Sequence, residues 1–338
     1  MKHFFRIFSL SSFVLIATLG WQTTLADSPN TLGITVSPPT YDMSANPGDS
    51  LQNTIRVTND SDGSVTLAVS AQDFVVEGTE GSVTVTDTTG PTTFSSWFSF
   101  SQKQVTLAAK SSALVPFTIN VPANAEPGGH FATVLFNPIV STSTTSTGAS
   151  IIQRVGSLVL MKVSGDIVES GSIEKFNAKS FVGSWETVTG TDGKTQIYIA
   201  NAEDLTKEHP QSYFDHGPVA FDVLFKNTGN VHFKPTGTLT IYNIFGSKVD
   251  QIALDPLNVF PGGERRVTVI WTKKSLWGGY YRAQIDAVYG SQNKILTAET
   301  VFWVFPWLVL LIILLLVILI VVLHRRFYEA AKVLIKGR

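Results

Sequence analysis

Acidic and imidazole side chains crowd one stretch of this 338-residue chain, where Asp204, Glu208, His209, Asp215 and His216 fall close together. Two chemistries could use them. His209, His216 and Asp215 offer the nitrogen and oxygen donors of a zinc site. Asp204, Glu208 and Asp215 could supply the acid and base of glycoside cleavage, which needs two carboxyl groups at a set separation. The spacing matches no named metal motif, and a chain with six histidines produces such a cluster by chance. Two other stretches imitate ligand loops. Thr189–Thr195 contains Gly193-Lys194-Thr195, but a phosphate loop needs a glycine where Val188 stands, and a helix after it. Asn59-Asp60-Ser61-Asp62-Gly63 opens like a calcium loop and lacks the closing bidentate acid. Both read as turns between strands. Gly-x-Ser-x-Gly and His-Glu-x-x-His are absent, and there is no cysteine for a thiol nucleophile, a Cys-ligated metal or a disulfide. The expectation is a non-enzyme with no cofactor and no metal. A carbohydrate-active enzyme with its site in 181–217 is the catalytic alternative.

Flat aromatic rings are the stronger binding candidates, because sugars stack on them. Trp97 and Trp271 are expected in the core. Trp185 and Trp277 border turns, and with Tyr213 they are the expected ligand-binding residues.

The elements that must position these residues are strands. Leu51, Ile55 and Val57 share one parity, as do Val115, Phe117, Ile119 and Val121, and then Val219, Phe221, Val223 and Phe225. Period-two alternation buries one face and wets the other, the pattern of antiparallel sheets packed as a sandwich. Turn signals such as Asp62-Gly63, Pro127-Gly128-Gly129 and Pro261-Gly262-Gly263 separate the runs. The order of signals also repeats. A strand ending before Asn59 corresponds to one ending before Asn227; Val105-Thr106-Leu107 corresponds to Leu257-Asn258-Val259; Gly128-Gly129 corresponds to Gly278-Gly279. The fold class expected is all-β, two tandem immunoglobulin-like sandwiches plus one C-terminal transmembrane helix. Domain one covers 27–165, with Ser141–Ser150 as a hairpin loop. Domain two covers 166–300, with an insertion at 181–217 that has no counterpart in domain one.

Both ends read as membrane signals. Residues 1–26 combine basic Lys2 and Arg6, an apolar run from Ile7 to Leu19, and small residues at Thr24 and Ala26, as a signal peptide does. Val301–Leu323 is apolar apart from the ring of Pro306, and as a helix would reach about 34 Å, enough for a bilayer core. Arg325, Arg326, Lys332, Lys336 and Arg338 follow in the tail 324–338, which places that tail in the cytoplasm and the sandwiches outside. The net charge of −1 thereby splits into +2 for the signal region, −7 for Asp27–Leu323 and +4 for the tail. An acidic exported part is no electrostatic match for nucleic acid.

An ordered set of motifs resembles the N-terminal peptidoglycan-binding domain of the WxL-interacting protein family. It runs from Ser37-Pro38-Pro39 through Asn46-Pro47-Gly48-Asp49, Ile55-Arg56-Val57-Thr58-Asn59, Ser96-Trp97-Phe98 and Val121 to Gly129, to Val155-Gly156. The resemblance implies an exported, single-pass protein with partners among cell-wall glycan or surface proteins, the lipid bilayer holding 301–323. The structural alternative is a passive spacer within a surface complex.

Overall fold

The structure is a computed structural model that describes residues 33–86, 90, 93–139, 154–180, 185–189, 195–199, 210–273, 276 and 278–336. The expected signal peptide, the tract Ser141–Ser150, Trp277 and the residues Asp204, Glu208 and His209 lie outside the described residues.

The first sandwich is built from β1 (Ile34–Ser37), β2 (Thr40–Ala45), β3 (Ser50–Asn59), β4 (Val65–Glu77), β5 (Ser82–Val85), β6 (Phe98–Phe100), β7 (Gln104–Leu107), β8 (Ser112–Asn120), β9 (Gly128–Pro138) and β10 (Val155–Val163). One sheet runs β1-β3-β8-β6 and the other β2-β10-β9-β4-β5, with β7 also on β4. The alternation read from sequence does its work here. Ile55, Val57, Phe117 and Ile119 face Leu67, Val134, Phe136, Val159 and Met161 across the core, all essentially without solvent contact.

The second sandwich has β11 (Gly171–Ser180), a separate hairpin of β12 (Trp185–Thr189) and β13 (Thr195–Ile199), then β14 (Tyr213–Phe214), β15 (Val219–Asn227), β16 (Thr236–Asn243), β17 (Lys248–Ala253), β18 (Glu264–Trp271), β19 (Gly279–Tyr289) and β20 (Lys294–Val304). Its sheets are β11-β15-β18 and β14-β20-β19-β16-β17. Trp271, Phe221, Phe225 and Phe302 fill the core between them. Trp97 and Trp271 are both buried, Trp271 at the end of β18 and Trp97 at the end of a short 3-10 turn, Phe94–Trp97, that leads into β6.

The repeat extends to topology. In domain one, β1 pairs with β3, and the chain then crosses so that β2 runs parallel to β10. In domain two, β11 pairs with β15, and β14 runs parallel to β20. The insertion therefore occupies the crossing that Pro38-Pro39 makes in domain one. It is shorter than the sequence reading of 181–217, because Tyr213–Phe214 pairs with Trp303–Val304 and belongs to the framework. Thr189 and Thr195, which flank the phosphate-loop-like stretch, are cross-strand partners, and Gly193 and Lys194 between them lie outside the described residues.

Two asparagines explain why the repeat is visible at all. Asn59, fully buried at the end of β3, donates Nδ2 to the carbonyls of Gly63 (2.7 Å) and Ala108 (2.9 Å) and accepts from the Ser61 N–H. Asn227, fully buried at the end of β15, donates to Val231 (2.8 Å) and Val259 (2.9 Å) and accepts from the Gly229 N–H. Each side chain staples the turn that follows it to a segment dozens of residues away. Their role is thus side-chain hydrogen bonding, and neither backbone is left-handed. Left-handed backbone does occur at Gly128 and Gly279, the first residues of β9 and β19 (φ +130° and +143°). A Cβ at Gly279 would meet no atom within 4 Å. Gly279→Ala therefore isolates the backbone strain and should cost about 1–3 kcal/mol in urea unfolding.

The expected span at 301–323 begins too early. Phe302 and Val304 are fully buried core residues of β20, and the chain stays a strand through Val304. The outward residues Val301 and Trp303 are also apolar, which hid the alternation. Pro306, lacking an N–H, separates the strand from α1 (Trp307–Lys336), and Leu310 N–H closes the first turn onto the Pro306 carbonyl. Leu310–Tyr328 is long and apolar enough to cross a membrane. The tail expected at 324–338 continues this helix through Lys336.

Candidate functional site

The two sandwiches meet across one row of side chains. Asp42 on β2, Leu160 on β10 and Phe131 on β9 are successive cross-strand partners, and the register of β9 with β4 brings Phe74 next in line. All four point away from the core of domain one. Domain two answers with Phe260 and the loop Val231–Lys234. The Phe260 ring lies 5.0 Å from Phe131 and 5.9 Å from Phe74, largely edge-to-face, and His232 lies 5.5 Å from Phe131. At one end of the row, His232 Nε2 is 3.0 Å from Asp42 Oδ1, and Lys234 Nζ is 3.3 Å from Asp42 Oδ2. At the other end the tip of the β4–β5 hairpin reaches the edge of β18, where Arg266 N–H donates to the Thr79 carbonyl (2.7 Å) and Arg266 Nε stands 3.6 Å from Glu80. The connection between domains is held as well. Asn230 accepts from Val168 N–H (2.8 Å), donates to the Asp166 carbonyl (2.9 Å), and its own carbonyl takes the Gly129 N–H (2.8 Å).

His232 has an exposed side-chain fraction of only 1%. Burial among Phe131 and Phe260 pushes its pKa down to about 4, against the opposing pull of Asp42. At neutral pH it is therefore an uncharged ring that donates Nε2–H to the carboxylate. Its Nδ1 is buried with no hydrogen-bond partner among the described residues. Burial works to raise the pKa of Asp42, but His232 and Lys234 outweigh it and hold the carboxyl below its ordinary value.

A second charged cluster lies on the outer face of β11-β15-β18. Lys179 is buried and ion-paired to Asp222, which also accepts from Thr268 Oγ1 (2.7 Å) and lies 3.9 Å from Arg266 Nη1. A groove beside it is lined by Lys175, Asn177, Pro210 and Leu224. Ala220, Leu224 and Ile270 on this face are buried too, so β15 is covered on both sides where the alternation predicted one wet face. Both Asp222 oxygens thus accept a hydrogen bond, one from Lys179 and one from Thr268, which ties β15 to β11 and β18.

Among the expected ligand-binding residues, Tyr213 is 68% exposed on β14, next to Trp303 in register, with its ring 6.4 Å from Phe305. Trp185 opens β12 in the separate hairpin. Trp277 lies outside the described residues. His216 Nε2 is 3.4 Å from Asp215 Oδ1, both well exposed. Asp62 of the calcium-like loop pairs with Lys110 (3.0 Å). Asp42, His232 and Lys234 escaped the sequence reading because only the fold makes them neighbours.

No family model matches the chain, and no curated protein matches it. Solved structures with a similar arrangement of strands include a class 5 fimbriae chaperone, CfaA, at 14% identity over 81% of this chain and 99% of that one, with a TM-score of 0.36. The Escherichia coli chaperone DraB is similar at 10% identity over 81% and 96%, with a TM-score of 0.33. A chaperone–tip adhesion subunit complex from the Csu pili of Acinetobacter baumannii is similar at 11% identity over 79% and 97%, with a TM-score of 0.32. The immunoglobulin-like assignment here follows from the strand order and registers given above.

Proposed function

We propose that this chain is a non-catalytic, single-pass cell-surface protein of the WxL-interacting kind, which holds domain one out toward cell-wall glycan. The observation that carries this reading is the placement of the joint. Domain two hangs on α1 by the end of β20, whereas the joint uses the opposite end of the same domain: the start of β16, the start of β18 and the loop holding Phe260. The eleven residues of β20 then set domain one about 35 Å further from the helix. Leu310–Tyr328 anchors the chain in this reading, and the basic residues beyond it keep the tail inside. Two buried titratable groups are already engaged, His232 in a hydrogen bond to Asp42 and Lys179 in an ion pair with Asp222, which supports binding rather than catalysis.

The test is co-sedimentation of the full chain, in detergent, with purified insoluble peptidoglycan. Retention that survives washing at high salt supports the reading, since an exported part of charge −7 must bind anionic wall through hydrogen bonds and stacking. A protein left wholly in the supernatant is a spacer or a partner-protein binder. Release of soluble sugar would instead mark an enzyme. A partner-protein reading has one observation in its favour: among the described residues β17 pairs only with β16, so its outer side is an edge that could accept a partner strand.

A further inference from the structure

The turn between β16 and β17 carries two apolar side chains at its tip, Ile244 (60% exposed) and Phe245 (87% exposed). The turn itself is well ordered. Asn243 Oδ1 accepts from the N–H groups of Phe245 and Ser247, both at 3.0 Å, and Gly246 N–H returns to the Asn243 carbonyl at 2.9 Å. The two side chains are therefore held outward by a stapled turn, with no protein surface to cover them among the described residues.

The registers say where this tip points. Asn243 pairs with Tyr281, and Tyr281 pairs with Phe302. Ile244 and Phe245 extend past that row and so stand level with Trp303 and Val304, just before the chain leaves domain two for α1. The chain is pinned at that level, because Trp303 and Phe305 donate their N–H groups to the Ser212 and Phe214 carbonyls at 2.7 and 2.6 Å. Exposed rings gather at the same end: Tyr213, Trp303, Phe305 and Trp307. Turns at the opposite end are polar: Gly290-Ser291-Gln292-Asn293 closes β19 and β20, and Gly78-Thr79-Glu80-Gly81 closes β4 and β5. Ile167, Val168 and Ile295 are exposed at the opposite end, but among the described residues the exposed aromatic rings of domain two are confined to the end from which the helix emerges.

We infer that the β16–β17 tip is a second membrane contact, inserting Ile244 and Phe245 into the lipid–water interface beside the anchor. Aromatic and aliphatic side chains at that depth bury apolar area while their polar neighbours stay at headgroup level. Arg282, over the Tyr242 ring at 5.1 Å, and Lys248 flank the tip and suit the phosphate layer. With two points of contact domain two could not swivel on the short Phe305-Pro306 connection, so domain one would stand at a set angle to the surface. The inference rests on the membrane-anchored reading.

The chain has no cysteine, so single spin labels can be placed cleanly. Ser247→Cys reports on the tip, Gln292→Cys on the far end and Ile318→Cys on the helix. The full chain is reconstituted in phosphatidylcholine–phosphatidylglycerol vesicles, and each label is tested for collision with oxygen against a water-soluble nickel chelate. Labels at 318 and 247 should favour oxygen, and the label at 292 should favour nickel. Adding Ile244→Asp and Phe245→Asp to the Ser247→Cys chain should move that label to the behaviour of position 292. A lipid-exposed 318 with a 247 label that matches 292 from the start overturns the inference and leaves the anchor intact. A water-exposed 318 overturns the anchor reading and this inference together.

Discussion

Asn227→Ala is expected to destabilise the second sandwich by about 3–5 kcal/mol, with Asn59→Ala doing the same to the first. The size follows from what the substitution leaves behind. The Val231 carbonyl is orphaned beside a fully buried position, which costs about 1–3 kcal/mol, while the Val259 carbonyl keeps the Phe233 N–H and the Gly229 N–H keeps the Ser170 carbonyl, so each of these loses one hydrogen bond worth about 1 kcal/mol. Water cannot easily replace the amide, because Val231, Val259 and Phe233 close around it. Asn227→Asp should be at least as damaging. It keeps an acceptor for Gly229 but loses both donors and sets a carboxylate oxygen against two carbonyl oxygens. Urea unfolding of the full chain in detergent, followed by tryptophan fluorescence, checks this. A shift of less than about 1 kcal/mol for the alanine variants would mean the staples contribute no more than one ordinary hydrogen bond.

Acid should loosen the joint between the domains. His232 has a pKa of about 4 in the folded chain and about 6.5 when unfolded. The unfolded or separated form therefore takes up the proton first. The stability contributed by the neutral ring is present above about pH 6.5 and is lost as pH falls toward 4, up to about 3 kcal/mol in full. Below that range the depressed Asp42 carboxyl adds a loss of the same sign, since it too binds a proton more readily outside the joint. Protonating His232 places a charge between Phe131 and Phe260, and separation of the domains lets water reach it. Small-angle scattering of the full chain between pH 7 and 4.5 should show the radius of gyration rising. His232→Gln keeps a donor toward Asp42 and removes the titration, so its profile should be flat over that range. An acid expansion that persists unchanged in His232→Gln would assign the effect to other groups.

Much of this architecture was legible before any coordinates. Alternation at Leu51–Val57, Val115–Val121 and Val219–Phe225 is a local property, because a strand turns its side chains by half a revolution at each residue. The paired order of Asn59 and Asn227, and of the double glycines, revealed two copies of one sandwich. The long apolar run announced the C-terminal helix. Where alternation carried no polar contrast, reading by pattern failed. Val301–Val304 looked like membrane because both faces of β20 are apolar at that point, and β15 looked half wet although its outer face is covered. The segment 181–217 looked uniformly inserted because a two-residue strand such as Tyr213–Phe214 has no period to detect.

The tertiary structure alone decided the rest. Asp42 and His232 are separated by 190 positions, and nothing in either local sequence marks them as partners. The joint requires four strands to align Asp42, Leu160, Phe131 and Phe74, and that alignment exists only once the registers are set. The asparagine staples show the division most clearly. Their positions at strand ends were plain in the chain, but their function is to satisfy carbonyls of distant segments, and those carbonyls become neighbours only in the folded sandwich. Composition and period act along the chain and so can be read from it. Hydrogen bonds and ring contacts between domains act across space, and which residues they join is fixed by sheet register.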